Sequence, residues 1–293
     1  MKMYKSERTV DEDIALIVMV CLLIGMLYTF VRAGEKKSIT IKGSDTMVHL
    51  VSNWAEAFMK QDPDVEVAVT GGGSGTGIAA LINGTTEICA ASREMKEKEK
   101  RQAREKGTEV REVVVARDGI AVVLNPKNPL KELNVQQIAQ IFTGAYTKWN
   151  QAGGSDKGIL VFSRESSSGT YAFFQEHVLK NKDYTPKAKL MPATSAIIES
   201  VSTDEDAIGY VGLGYALAAG DKVKIIGVKA DANSPAVMPS DETVINGKYP
   251  IARPLYLYLP TKATADVTTF VDFCLSDAGQ AIVREAGYVA IKQ

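Results

Sequence analysis

From residue 38 onward, apolar runs of strand length alternate with stretches whose apolar residues recur at helical spacing. SITIKG, VEVAVT and EICAAS read as strands, and Asp45 to Lys60 and GIAALING between them read as helices. Met95 to Gly107 is highly charged and reads as a solvated surface helix; VREVVVARDGIAVVLNP after it reads as a long strand run interrupted at Arg117-Asp118-Gly119. The second half continues the alternation. VQQIAQIFTG, GTYAFFQEHVLK and TSAIIESVSTD read as helices, and ILVFSRE, AIGYVGL, KVKIIGV and RPLYLYLP as strands. Two helical stretches, ATADVTTFVDFCLSD and AGQAIVREAG, close the chain. Strands in such an order bury their faces beneath helices, which predicts an α/β architecture with a largely parallel sheet.

Two apolar strand runs, around 113 to 124 and 254 to 259, are placed to carry the chain from one lobe to another and back. That predicts a discontinuous first lobe, 38–121 with 254–293, and a continuous second lobe, 122–253. Upstream, residues 14–31 (IALIVMVCLLIGMLYTFV) form an uncharged apolar run long enough to span a bilayer. No small-x-small cleavage site follows it cleanly, so it reads as an uncleaved signal anchor rather than a removed signal peptide. Cys21 lies mid-run, a poor position for lipid attachment. Lysines and arginines are balanced on its two sides and leave orientation open. Residues 1–37 are thus expected to be tail, anchor and linker, with the rest of the chain extracytoplasmic at the cell membrane.

The 34 Lys and Arg balance 35 Asp and Glu, so no global field points to nucleic acid, and a charged ligand must be recognised locally. Cys89 and Cys274 read as buried free thiols, with a disulfide between them left open. With 2 histidines, His49 and His177, and no closely spaced Cys/His cluster, no metal site is expected.

Three places share one grammar of strand, small polar residues with glycine, then helix: KGSDTMVHL (42–50), TGGGSGTGIAAL (70–81) and FSRESSSGTYAFF (162–174). A helix N-terminus exposes unpaired N–H groups and the positive end of its dipole, so each is a potential anion seat. TGGGSGTG lacks the Lys-Ser/Thr of a nucleotide P-loop and the downstream acid of a dinucleotide fingerprint. Ser168 and Ser74 lack the glycine spacing of a nucleophile elbow, and both histidines fall inside predicted helices.

The order GSDTM, GGGSGTG, AASRE, DGIAVVLNPKNPL, LNVQQIAQIFTGAYTKWNQAGG, SRESSSGT and AIGYVGLGYA resembles the phosphate-binding proteins of ABC-type phosphate importers, from about residue 38 to the C-terminus. The resemblance implies a type II periplasmic-binding-protein fold, two α/β lobes joined by two crossing strands and closing on phosphate in the cleft. It further implies a monomer without cofactor or catalysis that hands phosphate to permease subunits served by a separate ATPase. Carried over by residue, it places Thr46, Met47, Ser74, Ser92, Arg164, Ser168, Gly169 and Thr170 at the ligand, with Glu165 orienting Arg164. One position departs. Where some members have an aspartate after Ala-Ser, this chain has Arg93.

A carboxylate acceptor distinguishes phosphate, which keeps a proton near neutral pH, from sulfate, which does not. With Arg93 in its place, Asp45 or Asp118 must supply the acceptor, Asp45 being preferred because it stands beside Thr46. The expected mechanism is noncovalent capture of a desolvated oxyanion by Arg164 and Arg93 together with hydroxyls and N–H groups at three helix starts. Arg93 alone motivates the alternative of sulfate, molybdate or tungstate as ligand. A hydrolase using Ser168 and a surface sensor or adhesive protein are the remaining alternatives.

Overall fold

The computed structural model describes residue 19 and residues 37–291. The expected anchor at 14–31 lies outside the described residues, apart from position 19. Among the described residues no helix is long and apolar enough to cross a membrane.

The main sheet runs in the order β2 (Val65–Thr70), β1 (Lys37–Gly43), β3 (Ile88–Ala91), β11 (Ala252–Pro260), β4 (Val110–Leu124), β8 (Ala207–Gly212), β6 (Leu160–Arg164), β7 (Lys189–Met191), with β9 (Lys224–Ile225) also on β4. β5 (Glu132–Asn134) and β10 (Gly227–Lys229) pair separately. The pairs β1–β3, β6–β8 and β6–β7 are parallel. In the middle, β11 runs antiparallel to both β3 and β4, and β4 antiparallel to β8. The sheet is therefore mixed, not largely parallel. The two strands that cross between the wings must run in opposite directions, and they set the antiparallel centre.

β4 pairs with β11 from Val110 to Gly119 and with β8 from Ile120 to Leu124. Contrary to expectation, Arg117-Asp118-Gly119 does not interrupt it. Arg117 exchanges backbone bonds with Val289 (2.8 and 3.0 Å), Ile120 N–H donates to Ile251 O (2.7 Å), and the Asp118 side chain meets Arg253 in the opposite strand. A polar triplet stays in a strand when its backbone groups are paired and its charge is matched. KVKIIGV, read as one strand, splits at Ile226 into β9 and β10, whose partners are β4 and β5.

Helices cover both faces of each wing. On one wing Leu255, Leu257 and Leu259 pack with Trp54, Phe58 and Phe270, while Tyr256 and Tyr258 between them pack with Ile78 and Leu81 on the other face. On the other wing Ile120, Val122 and Leu124 meet Ile138, Phe142 and Phe174, and Ala121 and Val123 meet Ile197 and Val201. This is the period of two of a strand buried on both sides. The buried residues thus form separate groups on either side of the point where β4 changes partner.

Local signals explain where helices begin. In LNVQQ, Asn134 Oδ1 accepts from Gln137 N–H (2.7 Å) and Gln137 Oε1 from Asn134 N–H (3.0 Å), a reciprocal cap for α4 (Val135–Phe142). The charged stretch forms α3 (Glu97–Glu105) with Ala103 as its buried contact. The other helices named below are α1 (Val48–Gln61), α2 (Ser74–Ile82), α5 (Gly169–His177), α6 (Thr194–Thr203) and α7 (Leu213–Ala219). α7 was not anticipated from the sequence.

Candidate functional site

The three strand–helix junctions meet at the place where the crossing strands change partner. From the first, a short 3₁₀ turn over Asp45–Met47 leads into α1 and buries Thr46. From the second, Gly73 at φ 105° and α2 present Ser74. Ser92 directly follows β3, and β6 ends in Arg164, followed by the start of α5. Ser44, Thr46, Ser74, Ser92, Asp118, Arg164, Ser168 and Thr170 are all buried.

Hydroxyl groups from the first wing form a chain. Ser44 Oγ donates to Ser92 Oγ (2.8 Å), Ser92 N–H donates to Ser74 Oγ (3.0 Å), and Ser74 and Ser92 Oγ lie 3.3 Å apart. The start of α5 lies directly on this chain: a Cβ added at Gly169 would fall 2.2 Å from Ser74 Oγ and 2.7 Å from Ser92 Oγ. Thr46 and Thr170 share a hydrogen bond of 2.7 Å between their hydroxyls. The Ser167 carbonyl accepts from Gly75 N–H at 3.0 Å. That carbonyl would also lie 2.5 Å from a Cβ at Gly73, so both the left-handed φ and the close approach require glycine there. Ser168 Oγ caps its own helix, accepting from Thr170 N–H (3.2 Å) and Tyr171 N–H (3.4 Å). A hydroxyl so committed, with exposed His177 tilted against Phe173 and exposed His49 against Tyr215, shares no hydrogen bond with either histidine. The hydrolase alternative finds no support in this geometry.

Arg164 is 3% exposed and held from several sides. Its Nη1 pairs with Asp45 Oδ2 (3.1 Å) and donates to Thr194 Oγ1 (2.6 Å), Nη2 donates to Pro192 O (2.7 Å), and Nε donates to Met191 O (3.2 Å). Glu165, expected to orient Arg164, is exposed, and its N–H donates to Met191 O. Orientation falls instead to Asp45, Thr194 and the carbonyls of 191 and 192. Asp45 Oδ2 also accepts from Thr194 N–H (2.8 Å) and Oγ1 (2.7 Å), joining the first junction to the start of α6. Burial raises the pKa of Tyr215 and Tyr288, so both hydroxyls remain donors, to Asp45 O and Thr46 O.

Two expected ligands are engaged by other partners. Met47 is 0% exposed within the apolar core, and its N–H donates to Ser44 O (3.0 Å). It packs and offers no group to an anion. Arg93 makes a two-pronged pair with Glu99 of α3 (2.8 Å for each bond) and donates to Glu94 O (2.8 Å). Burial opposes the charged form of Glu99, but Arg93 and the Lys96 N–H outweigh it and hold this carboxyl below the usual range. The charge of Arg93 is thus matched by α3, and the alternative anions lose the feature that motivated them.

Asp118, a candidate acceptor, has both oxygens committed: Oδ1 to Leu213 N–H (3.0 Å), Oδ2 to Arg253 Nη2 (2.9 Å) and Nε (3.3 Å). Burial pushes its carboxyl up, and Arg253 and the Leu213 N–H pull it back. Sequence reasoning missed Arg253, which is 2% exposed and also donates to Ser92 O (2.7 Å) and Thr170 Oγ1 (3.0 Å). The available signal was one acid in one crossing strand and one arginine in the other, since a buried charge needs a partner. Cys89 and Cys274 are free, buried thiols, and no group of His, Cys, Asp and Glu among the described residues is placed to hold a metal.

Residues 31–278 match the family model described as PBP superfamily domain. The phosphate-binding protein PstS of Staphylococcus epidermidis is 35% identical over 261 residues, covering 87% of this chain and 79% of that protein. PstS of Staphylococcus aureus is 34% identical, over 88% of this chain and 78% of its own length. Among solved structures, a putative phosphate ABC transporter substrate-binding protein from Clostridium perfringens, with bound phosphate, is 34% identical and superposes with a TM-score of 0.79, covering 87% of this chain and 100% of that one. An ABC-type phosphate transport receptor from Vibrio cholerae is 30% identical with a TM-score of 0.69, over 86% of this chain and 99% of its own. With matches of this extent in sequence and fold, the chain belongs to the PBP superfamily and, within it, to the PstS phosphate-binding proteins.

Proposed function

We propose that this chain is an extracytoplasmic solute-binding protein that captures inorganic phosphate between two lobes, 38–121 with 254–293 and 122–253, and delivers it to the permease of an ABC-type importer. The observation that carries this reading is the direct approach of the Ser168–Thr170 helix start to Thr46, Ser74 and Ser92, with Arg164 buried beside it. Hydroxyls and helix-start N–H groups from both lobes can turn to a tetrahedral anion placed among them, and the anion then favours the closed arrangement because only there do both sets reach it. Arg164, which shares its charge with Asp45 at 3.1 Å, supplies a buried, charge-assisted donor beside these hydroxyls. The relatives named for phosphate binding and the structure holding phosphate support the ligand and a role in binding without chemistry. The apolar run at 14–31 supports attachment to the membrane, with the site outside the cytoplasm, and closure is the change a permease can sense.

Arg164→Ala is expected to weaken phosphate binding by roughly 100-fold or more, since loss of one buried, charge-assisted donor typically costs several kcal/mol. The fold is expected to survive, because the Asp45 carboxylate left behind is 20% exposed and reaches water. Titration calorimetry showing unchanged affinity in a folded variant would remove Arg164 from the site.

Asp45 is the acceptor we assign for the proton that phosphate retains. Its Oδ2 is committed to Arg164 and Thr194, while its Oδ1 accepts no hydrogen bond from the described residues. Asp45→Asn is expected to narrow the preference for phosphate over sulfate by about tenfold, because a carboxylate repels a fully deprotonated anion and an amide does not. Competition between the two anions measures this. An unaltered preference would place the acceptor elsewhere.

A further inference from the structure

We propose that Arg253, held by Asp118, is a positioning residue that fixes the direction in which the Thr170 hydroxyl donates. The inference rests on the phosphate reading above. Arg253 comes from β11, at the register position opposite Asp118 of β4, where β4 changes partner. Its Nη2 and Nε hold Asp118 Oδ2, its Nη1 donates to Ser92 O just after β3, and its Nη2 donates to Thr170 Oγ1 in α5. One rigid, planar group on a crossing strand therefore touches both sides of the candidate site.

A guanidinium carries donors and no acceptor. Thr170 Oγ1 must accept from Arg253, so its own proton points away from that arginine, toward the side where Thr46 Oγ1 lies at 2.7 Å. A hydroxyl polarised in this way is a ready donor to an anion oxygen arriving beside Thr46. Without Arg253, the same hydroxyl is free to turn a lone pair toward the anion and repel it. Ser92 is constrained in the same manner. Its carbonyl is fixed by Arg253 while its N–H is fixed by Ser74, so the peptide units on both sides of Ser92 are held. Because Asp118 matches its charge at 2.9 Å, Arg253 contributes little net attraction for an anion. Its effect is orientation.

The test is a double-mutant cycle on phosphate affinity, using Arg253→Lys and Thr170→Val in the full chain. Lysine keeps the charge for Asp118, but a single ammonium cannot reproduce the fork that spans Asp118, Ser92 and Thr170. Arg253→Lys is expected to weaken phosphate binding about tenfold in the parent and less than about twofold in the Thr170→Val background, since residues that act through one another are not additive. The same factor in both backgrounds, or an unaltered affinity in the parent, would overturn the proposal. Thermal melting establishes folding of each variant. If Arg253→Lys does not fold, Asp118→Asn replaces it in the cycle, with the same non-additivity expected and the same additivity overturning it. Thr170→Val alone leaving phosphate affinity unaltered would instead overturn the reading of the site.

Discussion

Gly169→Ala is expected to remove detectable phosphate binding while the chain stays folded. The added methyl carbon would lie 2.2 Å from Ser74 Oγ, 2.7 Å from Ser92 Oγ and 2.8 Å from Ser74 Cβ. Rotation of a hydroxyl relieves the first two contacts but not the third, and Ser74 and Ser92 are each 0% exposed and bonded to one another. The start of α5 must therefore move away from Ser74 and Ser92, and with it Thr170 from Thr46. Locally the substitution carries no strain, because Gly169 sits in the first turn of a helix and is absent from the positive-φ glycines. Binding is expected to weaken by about 1,000-fold or more because the two sets of donors no longer meet. Calorimetry with phosphate beside a melting curve checks both. Binding within about threefold of the parent would show that capture does not need this approach.

The hydrogen bonds among these hydroxyls also show how such a cluster stays stable with its polar groups buried. Thr46 pairs with Thr170, Ser44 with Ser92, Ser92 with Ser74, and Gly75 N–H with Ser167 O. Among the described residues no buried side-chain nitrogen or oxygen lacks a partner. Each of these bonds is modest in net worth, about 1 kcal/mol, and each is exchangeable for one to an anion oxygen. Charge-assisted bonds are the stronger kind, which gives an arriving anion the advantage in that exchange.

The three helix starts were legible in the sequence because small polar residues and glycine between a strand run and a helical run specify a junction locally. What they touch was not legible. Arg93 follows Ser92 in a segment that resembles a ligand site, yet Glu99, at the first turn of the charged helix, takes its guanidinium. Glu165 adjoins Arg164 in the chain, but it follows the last residue of β6 and is exposed, and Asp45 from a distant junction is the partner. Met47 lies next to Thr46, and its side chain turns into the core instead. The alternation of strands and helices predicted the α/β class correctly. It could not supply the antiparallel centre, which depends on β4 and β11 pairing across more than a hundred intervening residues. The same register placed Arg253 opposite Asp118 and concealed it from sequence reasoning.

That pair sets the largest expected loss of stability. Asp118→Ala leaves the Arg253 guanidinium, 2% exposed, without its counter-ion and Leu213 N–H without its acceptor. Breaking a buried ion pair by removing one partner typically costs about 3–5 kcal/mol, because the remaining charge is desolvated and unmatched. For a unit of this size, each kcal/mol moves the melting temperature by roughly 2–4 °C, so a fall of about 10 °C is expected. A shift under about 3 °C would mean that water or another group reaches Arg253. Asp118→Ala combined with Arg253→Met is expected to recover part of the loss, since no charge is then stranded, although Leu213 N–H and Ser92 O stay without partners. Phosphate affinity is not expected to recover with it, because the group that directs Thr170 is gone. Stability regained without affinity would separate the two roles of the pair, one in holding the crossing strands together and one in setting the donors of the site.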